Sequence, residues 1–316
     1  MTIKLGCAAW TLMDDFAPPY EDIIRKVGEL GFDGIELMLR NETDIREYWT
    51  PGTIAALKER LAEQGLTLTQ LVMFQNLTGG LASLDAAEKS ASIAHFRAGC
   101  GIARQLGAEF ISIVAPWPET ITSSTLTLPE YFYLNVPDAR LPGMEDRSLP
   151  EDWRFETKYR ISLPEPFDWA VYWENFVDSV KQLAAIAEEY GLKVTIENRN
   201  HTMAPHTDSL LRLFDRIPSA NLGANLNTGQ SFLQRECLAW SVHKYEDKLF
   251  HIHAVDGDGL ACYNLPAGDG TIDFEGIVVA LKELNYDGFI SLEWLNDADA
   301  EKNAKRSLAY LRELLG

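Results

Sequence analysis

The sequence predicts an α/β fold, and within that class a (β/α)8 TIM barrel with a long insertion after the fourth strand. At five places an amphipathic helical segment ends, Gly or Asn follows, and a β-rich run begins. Gly or Asn in that position closes the last helical turn, and the repeated unit is typical of parallel strands joined by helices. The strand-like runs number eight, and 316 residues suffice for such a barrel as one domain, 1–316.

The predicted strands follow the chain at intervals that leave room for a helix between each pair. They lie at 3–9, 33–38, 66–74, 109–114, 192–197, 221–227, 249–255 and 289–293. Apolar residues spaced near 3.6 predict helices in segments such as 23–30, 277–284 and 308–315. Thr50 (followed by Pro51), Ser83 and Thr207 are the predicted helix N-caps. The alternative is an open doubly wound sheet, but Cys7-Ala8-Ala9-Trp10 is not the Gly-rich loop that such a sheet usually shows.

The segment 116–167 interrupts the alternation of predicted strands and helices. It is rich in Pro and aromatic residues and follows the fourth predicted strand. A long loop after a barrel strand lies on the C-terminal face, where barrel enzymes have their active sites. Two interpretations remain open: a lid or partner-binding arm, or a long loop packed on itself.

Charge and cysteine content exclude several classes of partner. The formal net charge is −19, from 28 Lys+Arg against 47 Asp+Glu, so the basic face that nucleic acid or an anionic membrane requires is not expected. No run reaches the ~18 apolar residues of a membrane helix, and the N-terminus does not resemble a signal peptide. The 4 cysteines are far apart, which favours a reduced, cytoplasmic compartment.

Polar residues at the ends of the later strands predict a functional site. Inward-facing residues alternate along a barrel strand, and strand ends converge at the C-terminal mouth. This alternation places Glu197, Asn227, His253 and Glu293 at the mouth on the fifth to eighth strands, and adds Glu36 on the second. Carboxylates and imidazoles bind divalent Mn, Mg, Co or Zn, whereas an Asn oxygen is a weaker, neutral ligand. Any one of them could be an ordinary hydrogen-bonded polar residue, but four at adjacent strand ends favour a metal site.

Six segments together resemble the xylose isomerase-like barrel family of sugar isomerases and epimerases, which also includes endonuclease IV. They are 31–37, 196–198, 222–230, 251–253, 268–274 and 286–293. The resemblance covers nearly the whole chain outside the 116–167 insertion. It implies that Glu197, Asn227, His253 and Glu293 correspond to the Glu, Asp, His, Glu quartet that binds one divalent metal in the family. It also implies that Glu197 and Glu293 act as acid and base beside a substrate carbonyl.

The sixth-strand motif departs from the family pattern. The family has Asp-x-x-His where this chain has Asn227-Thr228-Gly229-Gln230. Losing a carboxylate beside a divalent ion removes a few kcal/mol of attraction, so we expect weaker metal binding. The ketose 3-epimerase branch has a Glu and an Arg where this chain has Met203 and Gly259, so that branch is not favoured. A nuclease with a His-rich metal cluster is disfavoured as well, because the chain has only 6 His and an acidic surface.

Five residues are predicted to contact a substrate: Trp10, Glu36, Arg199, His206 and Gln230. Trp10 follows the first strand and would stack on a sugar face, although packing in the barrel core explains it equally well. Arg199 and His206 follow the fifth strand and would bind hydroxyls or polarise a carbonyl; for His206 a solvent-facing loop position is the alternative. Gln230 stands where the family has a His.

The sequence therefore predicts a metal-dependent isomerase or epimerase that abstracts a proton next to the carbonyl of a keto-sugar or polyol. The first alternative is a lyase or dehydratase that acts by elimination on a keto-sugar, an inosose or a 3-keto-glycoside. The second is a metal-free binding barrel without catalysis, which Asn227 and Gln230 motivate. The expected partner is a small carbohydrate, and the family resemblance also implies a possible homo-oligomer.

Overall fold

A closed barrel of eight parallel strands forms the centre of the protein, as predicted. The computed structural model describes residues 2–13, 16–116, 121–123, 159–161, 166–200, 202–257, 259, 265–294 and 299–316. The barrel strands are β1 Lys4–Ala8, β2 Gly34–Leu39, β3 Thr67–Met73, β4 Phe110–Val114, β5 Lys193–Glu197, β6 Leu222–Asn227, β7 Leu249–Ala254 and β8 Phe289–Leu292. Each strand pairs with its neighbours in chain order, and β1 pairs with β8 to close the ring.

Helices surround the barrel and connect its strands. They are α1 Glu21–Leu30, α2 Glu42–Glu47, α3 Pro51–Glu63, α4 Gln75–Thr78, α5 Ala86–Leu106, α6 Trp169–Glu189, α7 Thr207–Arg216, α8 Thr228–Leu233, α9 Leu238–Tyr245, α10 Phe274–Glu283 and α11 Ala300–Leu315. Short 3-10 turns lie at Ala9–Leu12, Gly79–Ala82 and Glu246–Lys248. Gly31 and Gly107 end α1 and α5 in the left-handed conformation, with φ of 89° and 87°, which is the stop signal that the sequence predicts.

The predicted helix starts are correct for α3 and shifted for two others. Thr50 caps α3 by accepting from the Thr53 N–H. At α5 the cap is Asp85, which accepts from two backbone N–H groups of the first turn. The Ser83 hydroxyl instead accepts from the Asp85 N–H and shapes the turn before the helix. At α7 the cap is His206, and the Thr207 hydroxyl donates to Ser241 inside the protein.

The apolar core lies between the barrel and its helices, while the barrel interior is unusually polar. One continuous cluster of buried apolar side chains includes members from every barrel strand. Inside the barrel, Glu36 of β2 accepts from His251 of β7 at 2.8 Å. These strands are not neighbours in the ring, so this hydrogen bond crosses the barrel. Such a polar interior is stable only when most of its buried groups find a hydrogen-bond partner.

The insertion after β4 is described only in part. Ile121–Ser123 and Tyr159–Ile161 pair as a two-stranded antiparallel sheet. Residues 117–120, 124–158 and 162–165 lie outside the described residues, and so do the two interpretations of this segment. None of the helices described here is long and apolar enough to cross a membrane.

Candidate active site

Four of the predicted residues meet at the C-terminal end of the barrel. Glu197 ends β5, Asn227 ends β6, His253 is the penultimate residue of β7, and Glu293 directly follows β8. Ligand atoms of Glu197, His253 and Glu293 all lie within 4.8 Å of one another. The two glutamates are only 2% and 6% exposed. We call Glu197, Asn227, His253 and Glu293 the mouth cluster.

Asn227 turns its amide nitrogen toward the two carboxylates. Nδ2 donates to Glu197 Oε1 at 3.0 Å and to Glu293 Oε2 at 2.8 Å. The amide oxygen points the other way and accepts from the Gln230 N–H at 3.0 Å, which caps α8. Turning the amide over would set its NH₂ group against that N–H donor. The cap therefore decides which end of the amide faces the carboxylates.

A buried chain of hydrogen bonds fixes the backbone of Asn227. Its N–H donates to Asn198 Oδ1 at 2.9 Å. Asn198 Nδ2 donates to Ser231 Oγ at 3.1 Å, and Ser231 donates to Glu236 at 2.7 Å. Asn198 was predicted only as part of the 196–198 segment. It directly follows β5, and a polar residue just after a strand that ends at the barrel mouth was the available signal.

His253 connects the mouth cluster to the layer below it. Its Nε2 donates to Glu36 Oε2 at 2.9 Å, and its Nδ1 lies 3.2 Å from Glu293 Oε2 and 3.5 Å from Glu197 Oε2. Burial lowers the pKa of His253, but Glu36, Glu293 and Glu197 outweigh burial and hold that pKa well above its usual value. The imidazole thus lies among three carboxylates that favour its protonated form.

Glu36 lies beneath the mouth cluster and is fully buried. Its oxygens accept from His251, from His253 and from Gln70 Nε2, the last at 2.8 Å. Burial raises the pKa of Glu36, yet the two imidazoles hold it well below its usual value. Gln70 in turn accepts from Thr195 at 2.9 Å. Gln70 was not among the predicted residues, and His251 was predicted only within the 251–253 segment; a polar side chain on a barrel strand at an inward-facing position was the available signal for both.

Trp10 and Arg199 lie against the carboxylates of the cluster. Trp10 Nε1 donates to Glu293 Oε1 at 3.1 Å, and Arg199 Nη2 lies 3.7 Å from Glu197 Oε1. Trp10 also belongs to a small apolar cluster with Ala8, Met38 and Val72, separate from the main core. Burial raises the pKa of Glu293, but the opposite effect of His253 and Arg199 is larger and holds that pKa below its usual value, which favours the ionised carboxylate.

The two remaining predicted substrate contacts bond to nearby loop backbone. His206 Nδ1 accepts from the Ser209 N–H at 3.2 Å as the cap of α7. Gln230 Oε1 accepts from the Asn200 N–H at 3.3 Å. Trp10 and Arg199 are thus placed beside the mouth cluster, Glu36 supports it from below, and His206 and Gln230 order the loops around it.

Comparison with known proteins identifies relatives among sugar-converting enzymes. The model of the xylose isomerase-like TIM barrel family matches residues 24–314. An inosose dehydratase of Clostridium beijerinckii is 26% identical over 165 residues, 46% of this chain and 55% of that protein. A fructoselysine 3-epimerase of Escherichia coli O157:H7 is 23% identical over 150 residues, 46% of this chain and 54% of that protein. The matched region spans about half the length of these curated relatives.

Two solved structures have the same fold over nearly the whole chain. A D-psicose 3-epimerase, crystallised in the presence of D-fructose, superposes with a TM-score of 0.74 at 19% identity and covers 99% of this chain and 100% of its own. A 3-keto-D-glucoside 4-epimerase from E. coli, in its apo form, superposes with a TM-score of 0.71 at 19% identity, with the same coverage of 99% and 100%. At these identities the likeness shows the shared barrel.

Proposed function

The chain belongs to the xylose isomerase-like TIM barrel family, and from this premise we propose that it is an enzyme acting on a keto-sugar or polyol. The proposed reaction moves a proton on a carbon next to a carbonyl, as an isomerase or epimerase does. The observation that carries the proposal is the pair Glu197 and Glu293, two buried carboxylates that face each other across one amide nitrogen. Matches to a sugar epimerase and to inosose dehydratases support the same substrate class.

In this proposal one glutamate takes the proton from carbon, and the other, once it has gained a proton from solvent, donates that proton back to carbon. Glu293 suits the role of base, because His253 and Arg199 keep it ionised despite burial. Return of the proton from the opposite face of the same carbon epimerises the sugar, and return to the neighbouring carbon isomerises it. Arg199 is placed to hold the carbonyl or a hydroxyl, and Trp10 to pack against the sugar face.

The predicted divalent metal (Mn, Mg, Co or Zn) fits only part of the predicted ligand set. Glu197, His253 and Glu293 are candidate ligands whose donor atoms converge. Asn227 does not fit as the fourth, because its NH₂ group, which is no metal ligand, faces the carboxylates. Weak metal binding is the expectation from the sequence, and none of the steps above passes through a metal.

Elimination is the second candidate activity. It begins with the same proton abstraction and then expels a leaving group from the adjacent carbon, as a dehydratase does. The inosose dehydratase matches favour it. The third candidate is a barrel that binds a carbohydrate without converting it.

The test is exchange of a substrate C–H for solvent deuterium, followed by NMR. Ligands would first be chosen by thermal shift from keto-sugars, inososes and 3-keto-glycosides. We expect exchange in the wild type and at least ~10²-fold less in Glu197→Gln and Glu293→Gln, which keep side-chain size but lose the base. Glu189→Gln is the matched control, because Glu189 pairs with Arg97 at the surface.

The possible outcomes separate the three candidates. Exchange with recovery of an isomer supports the epimerase, and exchange with loss of water or an aglycone supports the lyase. A ligand that binds without exchange supports the binding barrel. If exchange continues in both Gln variants, neither glutamate is the base, and His253 and His206 are the next residues to replace.

A further inference from the structure

Two buried carboxylates that approach each other need a group of positive character between them. In water-poor surroundings the repulsion between like charges is only weakly screened and is therefore strongly destabilising. In the mouth cluster two groups contact both carboxylates. The His253 ring nitrogen Nδ1 lies 3.2 Å from Glu293 Oε2 and 3.5 Å from Glu197 Oε2, and the Asn227 NH₂ lies closer, 3.0 Å from Glu197 Oε1 and 2.8 Å from Glu293 Oε2. One nitrogen thus directs its two N–H bonds at two different carboxylates.

We infer that the Asn227 amide takes the place of a metal cation between Glu197 and Glu293, so that this site is assembled without a divalent metal. This goes beyond the proposed function, which uses the two carboxylates but does not say what holds them together. It also replaces the expectation of a weakly bound metal with a specific alternative. The amide is the bridge, and its orientation keeps the cation out.

The amide cannot easily turn to offer its oxygen to a metal. The oxygen is held by the Gln230 N–H at 3.0 Å, and the Asn227 backbone is held by Asn198 at 2.9 Å. Turning the side chain over would break both bonds to the carboxylates and leave the Gln230 N–H facing another donor. A buried polar group left without a hydrogen-bond partner destabilises the folded state.

The carboxylate oxygens already have donors from the chain. On Glu293, Oε1 accepts from Trp10 at 3.1 Å, and Oε2 accepts from Asn227. On Glu197, Oε1 accepts from Asn227 and lies 3.7 Å from Arg199, while Oε2 lies 3.5 Å from His253. A cation would have to displace several of these contacts before it could bind.

The test compares the response of the wild type and Asn227→Asp to Mn²⁺ alone. The Asp oxygen can still cap α8, but its second oxygen would replace the NH₂ between the two carboxylates and repel them. We expect Asn227→Asp to have a lower melting temperature than the wild type in EDTA and to recover it with Mn²⁺. Calorimetry should show Mn²⁺ binding at least ~10-fold tighter in Asn227→Asp than in the wild type.

Asn76→Asp is the matched control, because it makes the same change at an exposed position after β3. Its melting temperature should not depend on Mn²⁺. The inference is overturned if Mn²⁺ stabilises the wild type as much as Asn227→Asp, or if Asn227→Asp folds and gains no affinity. If Asn227→Asp does not fold, tight Mn²⁺ binding by the wild type overturns the inference, and its absence upholds it. No substrate is used, so failure of the proposed activity would not affect the result.

Discussion

At the scale of single residues, the mouth cluster is held in place by side chains that each contact two or more other polar side chains. His253 donates from one ring nitrogen to Glu36 and presents the other to Glu293. Glu36 accepts from two histidines and a glutamine at once. Both carboxylate oxygens of Glu36 accept hydrogen bonds, so the carboxylate is fixed in place. The bond from His253 to this fixed carboxylate orients the His253 ring.

Replacing Glu36 with Gln should therefore destabilise the fold. The variant loses a buried negative charge, and its NH₂ group cannot accept from a histidine. We expect a loss of about 3 kcal/mol in the free energy of unfolding, measured with urea. Glu189→Gln, which breaks an exposed ion pair with Arg97, should leave the free energy of unfolding almost unchanged. Equal stability of the two variants would show that Glu36 is not an ionised anchor in the folded protein.

At the scale of elements, close packing between strands and loops sets where the strand ends lie. Gly223 in β6 has no side chain at a point where a Cβ would lie 2.6 Å from the Lys248 carbonyl oxygen and 2.6 Å from the Phe250 ring. The backbone preceding β7 thus passes directly over this position. β6 and β7 carry Asn227 and His253 at their ends, so this contact contributes to the alignment of the mouth cluster.

Gly223→Ala should accordingly destabilise the protein by about 1–3 kcal/mol, because a backbone atom must move to admit the methyl group. Gly52→Ala is the control. Within the described chain the nearest atom to its new Cβ is Thr50 Oγ1 at 3.8 Å, and in helix α3 the change should stabilise by up to about 1 kcal/mol. Urea midpoints of both variants test the pair. A Gly223→Ala variant as stable as wild type would refute the close contact.

At the scale of the whole molecule, β1 and β8 pair and close the barrel, so residues from the first and the last strand pack in the same apolar core. Cys7 on β1 and Cys100 on α5 are fully buried in the same apolar cluster, whereas Cys237 is exposed. Burial raises the pKa of Cys100 to about 12 and that of Cys7 further. A single-domain chain and a homo-oligomer stay predictions at this scale.

Thiol labelling followed by peptide mass spectrometry can test whether the core opens as one unit. We expect Cys237 to react in the native protein, because the thiolate is the reactive form and this residue is accessible. Cys7 and Cys100 should react only across the urea unfolding transition, and together. Labelling of Cys7 under native conditions, ahead of Cys100, would indicate that the β1–β8 seam opens separately.

The sequence by itself determined the order of strands and helices and the strand ends that carry the site. Those features depend on local signals: the apolar period, the Gly or Asn after a helix, and the alternation of side chains along a strand. This is why Glu197, Asn227, His253 and Glu293 could be named before their geometry was known. Helix starts were less certain, because Ser83 and Asp85 are both good caps and their mutual hydrogen bond decides between them.

Only the tertiary structure decided what these residues face. Glu36 and His253 are 217 residues apart and meet across the barrel, and Trp10 reaches Glu293 over a separation of 283 residues. The orientation of the Asn227 amide depends on a helix cap on one side and two carboxylates from other strands on the other. The sequence shows which polar groups are present. Whether two of them form a hydrogen bond depends on their distance and angle, and these are set only when the barrel closes.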